Sequence, residues 1–312
     1  MTGAAEAEAG HAGMPARLAA AFGEAEVTLW LPGLAGLANA ISLGPKLRGS
    51  LGEVLLQSAS PAVRARQPCP WPRHSTADLF FGPGTQVTLA GETQSIARPF
   101  VLFGRAERSG ALSITLRVFG SACERAEAVF DALISAIGKV DWSSLSRDIA
   151  LGLPSPVTIE KVSARRNDAP FDLRRTSSAA DMIFVSPIDA DRGDPTRDPG
   201  LLLARLCRRL ALLSPWFGLA PDACYAACLH EAEAANITLV EISSVETAPV
   251  GGHHFANRLA PPMHLRLTGL SPAMRLALMI GERVHIGRGA SIGLGRYRLH
   301  WRDAATETEA AV

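Results

Sequence analysis

Val27, Leu29 and Leu31 recur at every second residue, the period of a strand with one face in a core. Pro32-Gly33 ends that run. A helix is predicted over 45–58, with Pro45 in its first turn, where a missing N–H removes no helical bond. Residues 60–84 are rich in Pro, Gly and Arg and read as irregular. Strands follow at 85–91 and 112–119, the second with Leu112, Ile114, Leu116 and Val118 on one face. Ala126, Val129, Phe130, Leu133, Ile134 and Ile137 then keep the 3.6-residue spacing of an amphipathic helix. Strand, helix, strands, helix is most of a ferredoxin-like unit.

The second half repeats that order. Strands are predicted at 157–163 and 182–186, and an Asp/Arg/Gly/Pro-rich loop at 189–199. Helices follow at 200–213 and 221–234, and strands at 237–245 and 263–268. Ser271-Pro272 reads as the cap and first residue of another helix, with Gly281 near its end. A strand at 296–301 closes the chain, with Tyr297, Leu299 and Trp301 alternating against Arg296, Arg298 and His300. The expected fold is α+β: two tandem ferredoxin-like (RRM-like) domains with helical insertions. They are assigned to 16–152 and 153–303, between disordered tails at 1–15 and 304–312.

Composition supports a packed core, with 47% hydrophobic and 20% charged residues. The formal charge is only +1, but it is unevenly placed. Residues 258–302 hold eight arginines against Glu282 alone, and 44–73 hold Lys46, Arg48, Arg64, Arg66 and Arg73 against Glu53. Two basic blocks on a near-neutral chain suit a protein that receives a polyanion at one face. Only three of the 31 basic residues are lysines. Arginine's planar fork fits phosphate and stacks on bases, although a GC-rich genome yields the same bias. Five cysteines form no disulfide-like framework, and a reducing cytoplasm is expected. The acidic, Ala/Gly-rich start is no signal peptide, and no run of 18 apolar residues predicts a membrane span.

The densest motif is the stretch from His285 to Tyr297, with glycines at 287, 289, 293 and 295. Glycine allows positive φ and close approach of a ligand, and successive N–H groups can form an anion nest. A dinucleotide loop follows a strand and opens a helix; here a helix precedes and a strand follows. No Gly-Lys-Ser/Thr is present for a phosphate-binding P-loop. The plain alternative is a tight helix-to-strand turn that uses glycine for geometry alone.

The string Gly-Arg-Gly-Ala-Ser-Ile-Gly-Leu-Gly-Arg-Tyr over 287–297 closely resembles the C-terminal signature of CRISPR pre-crRNA-processing endoribonucleases of the RAMP superfamily. Arg288 replaces the usual Lys and Ile292 the usual Phe. Lys46-Leu47-Arg48-Gly49-Ser50-Leu51-Gly52-Glu53-Val54-Leu55 is similar to that family's first helix. Weaker matches are Pro68-Cys69-Pro70, Arg98 to Leu102, Leu116 to Gly120, and Arg208-Arg209-Leu210 with Leu213. The resemblance implies a metal-independent endoribonuclease without cofactor, acting on CRISPR repeat RNA. The ribose 2′-OH attacks the adjacent phosphorus, leaving a 2′,3′-cyclic phosphate and a 5′-OH. Partners would be the repeat RNA or crRNA and other effector-complex subunits, with no membrane. RNA contacts are expected from Gly287, Arg288, Gly289, Gly293, Gly295 and Arg296.

That chemistry needs a base, an acid and charge stabilisation of the phosphorane. The family often keeps a histidine near the first helix; this chain has Lys46, Arg48 and Glu53 there and no histidine. The expected catalytic residues are His285, which adjoins the glycine loop, with Lys46 and Arg48. His285 has a structural alternative as a helix cap. His74, His253 and His254 are further options. The divergent processing subunits of type IV CRISPR systems also do without the usual histidine. The same departure supports a second reading, a RAMP-type subunit that grips crRNA without cutting. Cys224, Cys228 and His230 read better as a buried helix face than as a metal site, because zinc takes four ligands. No metal site is expected. Arg165, Arg166, Arg174 and Arg175 either flank RNA or sit on a solvated loop.

Overall fold

The structure is a computed structural model. It describes residues 13–40, 42–65, 67, 75–82, 85–148, 157–168, 171–189, 195, 197–242, 245–246, 258–259 and 263–302. Along the first half run α1 (Met14–Ala21), β1 (Glu24–Leu31), α2 (Leu43–Leu56), α3 (Pro61–Arg64), α4 (Thr76–Phe81), β2 (Gln86–Leu89) and β3 (Glu92–Ser95). Then come β4 (Phe100–Ala106), β5 (Leu112–Phe119), α5 (Ala126–Ile137), α6 (Trp142–Asp148) and β6 (Lys161–Asn167).

Strands β4, β5, β1 and β6 form one antiparallel sheet in that order. With α2 after β1 and α5 after β5, this is a complete ferredoxin-like unit. Alternation sets its two faces. Val27, Leu29 and Leu31 of β1 and Ile114, Leu116 and Val118 of β5 are buried toward the helices. From α5, Val129, Leu133, Ala136 and Ile137 enter the same core. Truncating Leu133 to Ala there would cost about 2–5 kcal/mol.

The second half holds β7 (Ala180–Phe184), β8 (Ile188–Asp189), α7 (Gly200–Leu213), α8 (Pro221–Glu233), β9 (Asn236–Ile242), β10 (Val245–Glu246) and β11 (Arg258–Leu259). It ends with β12 (Met263–Thr268), α9 (Pro272–Val284) and β13 (Tyr297–Trp301). The sheet order β13-β7-β12-β9 is again ferredoxin-like, with α8 as the helical addition. Ser271 caps α9 as its sequence predicts, its Oγ accepting from Met274 N–H at 3.0 Å.

Four features differ from the sequence expectation. The strand expected to open the second half is β6, and it pairs with β1, so the two sheets divide the chain between Asn167 and Ala180 rather than at 152. Strand β4 was not expected, because Phe100 to Phe103 is a continuous apolar run without alternation. Within 60–84, α3 and α4 are formed, capped by Ser60 and Ser75. Helix α1 begins at Met14, inside the expected tail, and packs on α8 and α9 of the second domain.

The domains are joined by several contacts. Phe22 meets Phe119, Phe171 and Phe217 at centroid distances of 5.2–5.8 Å. Trp216 Nε1 donates to the Ala97 carbonyl at 2.8 Å, and Ala97 N–H to Leu212 at 2.9 Å.

Candidate nucleic-acid interface

The face of the first sheet away from the helices is polar. It carries Glu26, Thr28 and Trp30 from β1, Ser113, Thr115 and Arg117 from β5, Phe103 and Arg105 from β4, and Ser163 and Arg165 from β6. Opposite stand Val185, Glu282, Arg283, Arg296, Tyr297 and Arg298 of the second domain. Between them lies a cleft of about 570 Å³.

Six arginines and three glutamates line this cleft. Glu26 lies at its floor and accepts from Arg117 and, at 2.9 Å, from Arg165. Burial raises the Glu26 carboxyl, but the two guanidinium groups outweigh it and leave the pKa below the usual range. Arg283 pairs at 2.6 Å with the buried Glu24. Arg105 pairs with Glu107 at 2.8 Å. Arg296 lies 4.7 Å over the Phe103 ring, and its Nε is buried without a hydrogen-bond partner. Burial and the nearby Arg105, Arg298 and Arg117 lower its pKa to about 10, so it stays cationic at neutral pH. Arg298 is exposed. Trp30 carries Lys161 over its ring at 4.9 Å. Guanidinium groups, half-exposed aromatics and hydroxyls on an open sheet face are what single-stranded RNA requires for phosphate contact, stacking and 2′-OH bonding.

The glycine loop borders the cleft and divides into two halves. N–H groups of Ile292, Gly293, Leu294 and Gly295 bond to the carbonyls of Gly289, Ala290, Gly289 and Pro187 at 2.8–3.2 Å. That half is therefore no anion nest: its donors are engaged within the protein. It is a wedge between the domains. Gly293 has φ +89°, and a Cβ there would sit 2.9 Å from Phe103 Cβ. A Cβ at Gly44 of α2 would overlap the Ile292 carbonyl. In the other half Arg288 is exposed, Gly287, Gly289 and Ser291 are half-buried, and Ala290 is buried.

The two motif regions thus meet at Gly44 and Ile292, but the expected catalytic residues do not gather in the cleft. Lys46 Nζ donates to Ser144 Oγ on α6. Arg48 lies 5.4 Å over the Phe81 ring, and burial lowers its pKa. His285 is fully buried, with its ring 5.2 Å from Phe103. Burial, then Arg296, Arg117 and Arg209, hold its pKa well below the ordinary value, partly opposed by the Ala290 backbone. Its imidazole is neutral and shielded from solvent. His74, His253 and His254 lie outside the described residues.

Sequence reading missed the cleft floor, although alternation contained it. Once Val27, Leu29 and Leu31 face the core, Glu26, Thr28 and Trp30 must face away. Of the four loop arginines singled out, Arg165 reaches the cleft, whereas Arg166 pairs with Asp168. Cys207, Cys224 and Cys228 are buried, and hydrogen bonding with Cys228 and burial push the Cys224 thiol up. Among the described residues, no group of three or more His, Cys, Asp or Glu side chains is placed to hold a metal ion. Nor is any described helix long and apolar enough to cross a membrane.

No family model and no curated protein matches the chain. Solved structures resemble it distantly. A Cas6 product complex has 13% identity and a TM-score of 0.49 over 89% of this chain and 99% of that one. Thermus thermophilus Cas6 has 14% identity and a TM-score of 0.45 over the same shares. Thermus thermophilus Cse3, bound to an RNA representing a pre-cleavage complex, has 13% identity and a TM-score of 0.30, covering 89% and 98%. The ferredoxin-like assignment of both domains stands on their own strand orders.

Proposed function

We propose that the protein is a metal-independent endoribonuclease that matures CRISPR RNA by cutting repeat RNA through 2′-OH attack. The observation that carries this reading is the arginine-lined cleft between two ferredoxin-like domains, bordered by the glycine loop. The motif strings at 46–55 and 287–297 supply the substrate class.

RNA would lie across β1 and β5, with Trp30 offering a stacking surface. Arg117, Arg165, Arg296 and Arg298 would meet phosphates, and Arg288 would meet the strand at the first half of the loop. Gly287 and Gly289 allow close approach there, while Gly293 and Gly295 hold the wedge that fixes Arg296. Lys46 ties α2 to Ser144 of α6, Arg48 covers Phe81 of α4, and His285 packs against Phe103. The absence of a first-helix histidine is shared with type IV processing subunits.

The second reading, a crRNA-binding subunit without cleavage, uses the same cleft, and one assay separates the two. Purified protein is incubated with synthetic repeat RNAs in EDTA. The proposed function predicts one cut ending in a 2′,3′-cyclic phosphate and a 5′-OH, abolished by a single 2′-deoxy substitution at the cut site. Tight binding with intact RNA supports the second reading and rejects the first.

A further inference from the structure

The outer face of the second sheet carries a cluster that neither motif region contains. Strand alternation buries Ala180, Met182 and Phe184 of β7 and Met263, Leu265 and Leu267 of β12. It therefore turns Asp181, His264 and Arg266 the other way. In the ladder Asp181 lies between His300 of β13 and Arg266 of β12. Its Oδ1 is 3.1 Å from His264 Nε2 and 3.3 Å from Arg266 Nε, and its Oδ2 is 3.6 Å from Arg302 Nη1. His264 and Asp181 are about one-fifth exposed, Arg266 more than a third. Arg298, which lines the cleft, is two residues from His300 along β13, a step of roughly 7 Å on the same face. Arg298 and His300 thus connect the cleft to this cluster along one face of β13.

The proposed reaction needs a proton acceptor, and four histidines lie among the described residues. His285 is enclosed. His230 is exposed on α8, and His300 is exposed at a sheet edge. His264 has its Nε2 3.1 Å from a carboxylate oxygen, Asp181 Oδ1. Its Nε2 is close enough to Asp181 for a hydrogen bond though not aligned for one, as is common before substrate arrives. An Nε2–H turned to a carboxylate fixes the tautomer and leaves the Nδ1 lone pair for proton transfer.

We propose that His264, held by Asp181, is the general base for the 2′-hydroxyl, with Arg266 and Arg302 stabilising the phosphorane; this rests on the endoribonuclease reading. His264 Nδ1 takes the 2′-OH proton as the 2′ oxygen bonds to phosphorus. The bond from phosphorus to the 5′ oxygen breaks, and that oxygen leaves with a proton from water. The imidazolium returns its proton to solvent. Arg266 and Arg302 face the charge that develops on the phosphoryl oxygens. Asp181 is a positioning residue: it orients His264 and both guanidinium groups. Arg298, His300 and Glu241 are the other charged or titratable groups on the described strands of this face.

The test uses the full-length protein and a repeat RNA that it cleaves, in EDTA, under single-turnover conditions. His264→Asn should slow cleavage by about 10²- to 10⁴-fold, with Kd for the RNA within about threefold of wild type. His264→Gly should regain part of its rate when free imidazole is added, which a merely structural role would not produce. Asp181→Asn should displace the pH–rate profile. His230→Asn, remote on α8, should behave as wild type. If the wild-type protein cleaves and His264→Asn cleaves equally fast, or the slow variant gains nothing from imidazole, the assignment of His264 is overturned. If wild-type protein binds repeat RNAs but cuts none, the endoribonuclease reading itself fails, and the dyad with it.

Discussion

Glu26 and His285 are two residues held in unusual electrostatic states, and each has a measurable consequence. Glu26 holds Arg117 and Arg165 in the cleft while contributing a negative charge to the proposed RNA site. Glu26→Gln should therefore destabilise the fold by about 1–3 kcal/mol. The same change should tighten RNA binding by roughly three- to tenfold, because one charge opposing the phosphates is gone. Thermal denaturation and an equilibrium binding titration check the two signs together.

His285 is buried among Arg296, Arg117 and Arg209 and has φ +60° and ψ 168°, a conformation that L residues rarely adopt. Its folded pKa lies below the ordinary 6.5, so below that pH the unfolded chain binds a proton that the folded one resists. Its contribution to stability is present above pH 6.5 and is lost as the pH falls. Tm should drop between pH 7 and pH 5, and His285→Leu should flatten that drop. An unchanged slope would refute the enclosed, neutral imidazole.

At the scale of elements, the two motif regions make opposite demands on their glycines. Gly293 sits at positive φ against Phe103, so Gly293→Ala should cost at least about 1–3 kcal/mol. Gly49 lies inside α2 with nothing within 4 Å of a built Cβ, so Gly49→Ala should stabilise by about 0.5–1 kcal/mol. Chemical denaturation of the two variants separates wedge from plain helix. The same elements show what the sequence makes legible. Strand β5, helix α5 and strand β12 match their expected ranges because their apolar periods are clean. Strand β4 was missed because Phe100 to Phe103 lacks a period: Phe100, Val101 and Leu102 are all buried, and Phe103 lines the cleft. Strand β6 was found but assigned to the wrong domain: its partner is β1, more than a hundred residues away, and local pattern carries no pairing information. The cleft was half legible. Arg296 follows from the motif, but Arg117 and Arg165 belong to it only through strand pairing. The pairing of Asp181 with His264 needs two strands 83 residues apart to meet, so no local string announces it.

The whole molecule concentrates charge without being basic. A net charge of +1 includes a cleft with six arginines against three glutamates, placed where the open face of the first sheet meets the end of α9 and the edge strand β13. The loop wedge, the Phe22 cluster and the Trp216 bond to Ala97 tie the domains at that junction. The cleft is thereby a fixed feature of the fold, and the proposed function places RNA in it. Its affinity should then be dominated by phosphate contacts and counterion release. The most direct measurement is the RNA dissociation constant across a series of salt concentrations, for wild type, Arg298→Ala and Arg17→Ala, the last an exposed arginine on α1 outside the cleft. The cleft account predicts that log affinity falls steeply and linearly with log salt for wild type and Arg17→Ala. For Arg298→Ala the slope should be shallower by about 0.7, one single-strand phosphate contact. Salt-independent binding, or an Arg298→Ala slope equal to wild type, would contradict it.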